Sequence, residues 1–337
     1  MANRQFTPSW IDWVIDWVES LPIPPLFFYI LFYAFNVIVV HLAYWIGGDL
    51  TPGQLRSTFF FDVTWMPFFL GYLHLMKRTA RQSVEEFRPA LDISRSKFDK
   101  IKYEFTTLPF WPVLLLSIVG ALGGILAFLN SLTDLSAGNI VWSVISGGGY
   151  TFLPVWLYAS YRHITKINGL YKQVDNLNLF NLQPLYGLSR VAMLVGGFII
   201  IIINMNYLWE VFLGTPSMSQ ETIILLSFVL LIFALAVIIA PIWGIHRRIE
   251  DKKRTMLAAN AEQIVALEQS LQDDLKRKKF TNVDGIGKGL SALFSMRANI
   301  QAIPAWPWQP GAFRNFASAI LLPLLIWLAQ RILTQYF

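Results

Sequence analysis

Apolar and polar stretches alternate along this chain on the scale of a lipid bilayer. A spanning helix takes about 20 mostly apolar residues. Seven segments approach that length: Pro25–Ile46, Ser57–Met76, Leu108–Asn130, Asn139–Tyr161, Leu188–Leu208, Thr222–Ile245 and Phe313–Leu333. The last has a short uninterrupted run, from Phe316 to Ala329, with Pro323 inside it. The pattern predicts an all-α, polytopic membrane protein with seven transmembrane helices, or six if residues 313–333 lie along the membrane or re-enter it.

Between these segments the apolar period shortens to that of amphipathic helices. Near the N-terminus, Trp10, Trp13, Val14, Trp17, Val18 and Leu21 recur at helical spacing behind Ser9, with Asp12 placed to complete a capping box. Indole rings favour the headgroup region, so an interfacial helix is expected. After the sixth segment, Leu257, Ala261, Ile264, Leu267, Leu271 and Leu275 keep steps of three or four. A turn at 282–287 and a second stripe, Ile286, Leu290, Leu293, Phe294, Arg297 and Ile300, complete an expected helical hairpin. Its apolar faces would be buried by residues 161–187, with Leu177, Leu179, Phe180, Leu182 and Leu185, and by a neighbouring subunit. Three prolines then forbid a continuous helix, and Pro304, Trp306, Pro307 and Trp308 form a stiff elbow before the last apolar segment. The chain thus divides into a transmembrane domain with its interfacial helix (1–245), a hairpin (246–303), and the elbow with the C-terminal helix (304–337).

Charge gives this layout a direction. Of the 27 Lys and Arg, all but Arg56 and Arg331 fall in the N-terminus, in the segments after the second, fourth and sixth apolar stretches, at Arg190 among the first residues of the fifth, or at Arg314. The positive-inside rule puts those segments, the hairpin and the N-terminus in the cytoplasm, and the C-terminus outside if the seventh segment spans. A bacterial plasma membrane is the expected setting. The net charge of +6 is explained by this topology, and no nucleic-acid partner is expected. Without cysteine, the chain has no disulfide, thiolate metal site or cysteine nucleophile.

Candidate chemistry is sparse. There is no His-Glu-x-x-His, Walker loop, Gly-x-Ser-x-Gly or dinucleotide fingerprint, so neither an enzyme nor a cofactor is expected. Four groups stand out. His41 and Asp62 fall at similar depth on consecutive segments, either as a titratable pair facing outside or as two separately wetted groups. Gly147, Gly148 and Gly149, with Thr151 and Pro154 after them, weaken the fourth segment in its middle. Such a break lines a cavity or, equally, permits close helix packing, as the Gly120/Gly124 pair of the third segment does. Asp49, Asp62, Asp134, Glu210 and Glu221 give the outer rim an acidic balance that would concentrate cations at a pore mouth. Finally, Asn315, Ser318, Leu322, Leu325 and Ala329 share one face of the last helix.

The predicted topology resembles that of insect odorant and gustatory receptors: seven spans, an inside N-terminus, an outside C-terminus, and a last span preceded by a cytoplasmic helix and a bend. Of the gustatory receptors' final Thr-Tyr-(five apolar)-Gln-Phe pattern, this chain carries only an apolar run ending in Gln330. The resemblance implies a homo-oligomeric cation channel, joined through 246–303, with the last helix lining the pore. A non-conducting sensor or scaffold that signals through the hairpin to a cytoplasmic protein is the alternative, and a transporter the third.

Overall fold

The computed structural model describes residues 6–130, 134–174, 177–213, 220–278 and 283–308, with 311, 314 and 318. Every regular element in it is helical. Six helical stretches are long and apolar enough to cross a bilayer: Pro25–Gly47, Ser57–Ala90, Phe110–Asn130, Ala137–Lys172, Gln183–Met205 and Phe228–Lys276. The chain is therefore a multi-pass membrane protein, with the lipid bilayer as its surroundings. The seventh segment, 313–333, lies almost wholly outside the described residues.

The chain opens with a short helix, α1 (Trp10–Ser20), and a first span, α2 (Pro25–Gly47), which starts on proline, a residue whose missing N–H costs nothing there. The second span is broken. A six-residue α3 (Ser57–Asp62) precedes α4 (Trp65–Phe87), and the break falls where Pro67, in the first turn of α4, withholds an N–H from the preceding turn. Beyond it α4 runs 11 residues past Met76, where the apolar count ends. The basic stretch that follows is not a plain loop. Ser94 caps α5 (Arg95–Thr106), which buries Phe98 and Phe105.

The third span is α6 (Phe110–Asn130). The fourth is two helices, α7 (Ala137–Gly148) and α8 (Phe152–Lys172), joined by a 3-10 turn at Gly149–Thr151. Then come α9 (Gln183–Leu213) and α10 (Gln220–Lys276). At 57 residues α10 is about 85 Å long, far beyond the roughly 30 Å of hydrocarbon that a span must cross. Its first half continues the bundle and its second half projects from it. Against that projection α11 (Val283–Ala302) runs antiparallel: Lys253 Nζ donates to the carbonyl of Gln301, Asn260 Nδ2 to that of Leu293, and Leu267 faces Gly289.

Burial separates central from peripheral spans. Half of the apolar window is buried in the α3–α4 and α9 spans, against 22% in α2 and α6. The outer sides of α2 and α6 instead expose Leu26, Ile30, Phe35, Leu115, Val119 and Leu122, the face that a hydrocarbon solvent requires.

A second apolar core sits beyond the spans. Phe87, Phe98, Phe105, Tyr171, Leu177, Leu179, Leu182, Leu185 and Ile249 cluster there. Leu177, Leu179, Leu182 and Leu185 are buried here beside Ile249 rather than against the two apolar stripes expected of the hairpin, and Phe180 is 62% exposed. Ion pairs bind the same end: Lys102 to Glu85, Lys166 to Glu104, Arg190 to Glu86. Arg248 and Lys252 of α10 donate to the carbonyls of Tyr171, Val174 and Leu177, the C-terminal end of α8 and the strap after it. The basic stretches after the second, fourth and sixth spans thus meet at one end of the bundle, here called the basic end.

Candidate functional site

The most developed polar site lies at the basic end, where α1 crosses α4. The expected capping box is formed: Ser9 Oγ accepts from the Asp12 N–H at 3.1 Å, and Asp12 Oδ2 accepts from the Ser9 N–H and hydroxyl. Asp12 does more than cap. Oδ2 also accepts the N–H of Leu108 at 2.9 Å, just before α6, and Oδ1 lies 3.1 Å from Lys77 Nζ. Lys77 Nζ further reaches Asp16 Oδ1 at 2.6 Å. Next along the two helices, Glu19 meets His74 Nε2 at 3.3 Å and Arg81 at 3.3 Å, and His74 Nδ1 contacts the Tyr29 hydroxyl of α2 at 3.0 Å.

The acids Asp12, Asp16 and Glu19 stand one helical turn apart on α1, and the bases His74, Lys77 and Arg81 do the same on α4. Carboxylates on α1 and, on α4, Lys77, Arg81 and the His74 imidazole form two complementary polar stripes that zip the helices together. Lys77 and Asp12 are both buried, at 9% and 4% side-chain exposure, so the pair is held by its full set of hydrogen bonds rather than by surface attraction. The signal was present in the sequence as matching spacings, but there Lys77 counts only as one of the basic residues that follow the second apolar segment. Beneath α1 is a cavity of about 20 Å³, the size that holds one water, bordered by Ile15, Asp12, Lys77, Leu108, Ala159 and His163. His163 donates from Nδ1 to the Ala159 carbonyl at 2.7 Å, and its Nε2 has no partner from the protein.

At the opposite end, His41 and Asp62 do not pair. His41 Nδ1 donates to the Val37 carbonyl at 2.8 Å, and Nε2 accepts the N–H of Arg56 at 3.2 Å. Asp62 accepts from the Trp142 indole at 3.0 Å. Each group thus has its own structural partner. On the same rim, Asp134 accepts from the Ser136 N–H and the Asn139 side chain, which holds its carboxyl below the usual carboxylate range. Among the described residues no three His, Asp or Glu side chains converge as metal ligands.

The triple glycine is a packing crossing. A Cβ on Gly147 would fall 2.7 Å from the Ile125 backbone, one on Gly124 would strike the Gly147 carbonyl, and one on Gly120 the Tyr150 carbonyl. A Cβ on Gly148 or Gly149 would meet Met66 or Trp65 of α4 at 2.9 and 3.0 Å. The small residues of the third and fourth spans, read separately in the sequence, are two halves of one backbone-to-backbone contact. Thr151 is half-buried beside it.

The elbow is built as an aromatic stack. His246 lies 3.9 Å from Trp306 at 9° between ring planes, and Trp306 lies 4.7 Å from Trp308 at 13°. His246 Nδ1 donates to the Ala305 carbonyl at 3.0 Å, and the Ser189 hydroxyl to that of Pro307. Pro307 is buried and Pro304 exposed. Of the proposed pore face, Asn315, Leu322, Leu325 and Ala329 lie outside the described residues. Ser318 donates to the Arg314 carbonyl at 2.9 Å, a bond of helical spacing.

Compared with family models, curated proteins and solved structures, the chain matches none.

Proposed function

We propose that the chain is the subunit of a homo-oligomeric, cation-permeable channel, non-catalytic and free of cofactors, with its basic end in the cytoplasm. The observation that carries this reading is the route of the chain through α10, α11 and the elbow. An arm of about 30 residues leaves the bundle along α10, returns antiparallel along α11, and is fastened to His246 by Trp306, at the level where the sixth span ends. The sequence then enters the apolar segment 313–333. A chain brought back to the membrane surface and followed by about 20 apolar residues is suited to span again. The arm carries exposed apolar side chains, Val265 at 50%, Phe294 at 51% and Met296 at 42%, which supports burial against a neighbouring copy.

The glycine crossing favours conduction between subunits over transport through one. Backbones of α6 and α7 touch at mid-membrane, leaving no passage along that seam. In this reading the face Asn315, Ser318, Leu322, Leu325 and Ala329 lines the axis. The test is purified protein in planar bilayers. Cation-selective currents that are altered by Ser318→Leu support the reading, and protein that is monomeric in mild detergent and passes no current overturns it. The same projecting arm also suits a non-conducting sensor with a cytoplasmic partner. That reading requires a specific soluble protein to co-purify and to be lost when residues 255–300 are deleted.

A further inference from the structure

We infer that the outer face of α1 is seated in the phospholipid interface, with the indoles of Trp13 and Trp17 at the headgroup–acyl boundary of the leaflet at the basic end. The helix has three distinct sides. Ile11, Ile15 and Val18 are at most 2% exposed and face the bundle. Trp10 turns inward as well, donating from Nε1 to Ser117 Oγ of α6 at 3.0 Å. Trp13 and Trp17 face out at 53% and 54%. The tryptophans that read as one stripe in the sequence are thus divided between a core role and an external one.

Continuity identifies what covers the external side. Trp13 packs on Phe110 at 5.8 Å between ring centres, beside Trp111 of α6, which is 69% exposed. Trp17 meets Phe28 edge-on at 5.5 Å, beside Leu26 and Phe27 of α2, exposed at 69% and 58%. These neighbours begin the lipid-facing sides of the two peripheral spans. The Asp12–Leu108 hydrogen bond fixes the height of α1 two residues before α6 starts, at the level where a headgroup region meets a span. Indole, with an apolar body and one N–H donor, is the side chain best suited to that boundary.

Charge removes the usual obstacle. An acidic helix is repelled by an anionic leaflet, but here all three carboxylates turn to α4 and are answered by Lys77, Arg81 and His74. The zipper described above therefore lets α1 enter the interface without an unpaired carboxylate. Because Asp12 joins α1 to both α4 and α6, displacement of the helix by the leaflet acts directly on two spans. The inference depends on the spans being in a bilayer and not on conduction.

The absence of cysteine makes the test direct. Trp13→Cys and Trp17→Cys are each spin-labelled in the full chain and reconstituted into phosphatidylethanolamine–phosphatidylglycerol vesicles. Leu31→Cys, on the exposed side of α2, gives the lipid reference, and Glu262→Cys, exposed on the projecting half of α10, the aqueous one. Power saturation with oxygen and a nickel chelate reads depth. The expected result is oxygen collision near that of position 31, with nickel collision several-fold below that of position 262. Nickel access equal to that at 262 overturns the inference in favour of water. Protection from both reagents overturns it in favour of a second protein copy.

Discussion

Lys77 Nζ lies 3.1 Å from Asp12 Oδ1, and the contact is closed to solvent on both sides. This one pair joins the N-terminal helix to the second span, while the other oxygen of the same carboxylate accepts from the Ser9 N–H and hydroxyl and holds the backbone at the entry to α6.

Breaking a buried pair from one side leaves the other charge stranded, at a typical cost of about 3–5 kcal/mol. Lys77→Met is therefore expected to lower thermal stability in detergent by about that amount. Asp12→Asn, Lys77→Met and their double variant form a cycle whose coupling energy should fall at about 1–3 kcal/mol. Additive effects, measured by thermal melts followed by circular dichroism, would remove Asp12–Lys77 as the bond that holds α1.

The glycines make a paired prediction. Gly147→Ala and Gly124→Ala drive a methyl into backbone and should cost about 1–3 kcal/mol or more. Gly123→Ala, with no atom within 4 Å of the new Cβ, should be neutral or gain up to about 1 kcal/mol from helix propensity. Equal behaviour of the three in the same melts would contradict a packed crossing.

Trp306→Leu removes two stacked partners at once, His246 and Trp308. Aromatic pairs contribute roughly 0.5–1.5 kcal/mol each beyond burial, so a loss of about 1–3 kcal/mol is expected. Limited proteolysis offers a local readout. Cleavage at 303–308 should accelerate while the rate at the α4–α5 junction stays unchanged.

The projecting arm separates subunit stability from assembly. Phe294→Asp changes an exposed residue, so the melting curve of the isolated subunit should move by no more than about 0.5 kcal/mol. If the arm joins copies, the same variant shifts the mass in detergent from oligomer toward monomer, as light scattering coupled to size exclusion would show. An unchanged mass distribution would take the arm out of the interface.

The spans were legible because a bilayer imposes a long, one-letter requirement on sequence: about 20 apolar residues. The first four that the structure describes begin within a few residues of the apolar counts, while the fifth starts at Gln183 rather than Leu188 and the sixth at Phe228 rather than Thr222. The capping box at Ser9 and Asp12 was equally legible, because its residues are three apart and the bonds that make the box are local. What escaped the sequence was pairing between distant elements. Gly124 and Gly147 each announce a close approach, but not to one another. Lys77 differs from the solvated lysines after it only through Asp12 and Asp16, some 60 residues earlier. Helix α5 was available from Ser94, Phe98 and Phe105 at helical spacing, and was hidden by the charge density around them. His41 and Asp62, matched in depth, found nearer partners in Arg56 and Trp142.

In the proposed channel, several copies surround an axis lined by the last apolar segment. An image of the purified assembly in lipid nanodiscs, at a resolution that separates helices, tests it most directly. The expected image is a symmetric oligomer with the α10–α11 arms in contact on one side of the membrane and residues 313–333 around the central axis. A monomeric particle, or an oligomer with that segment on its lipid-facing rim, would contradict it.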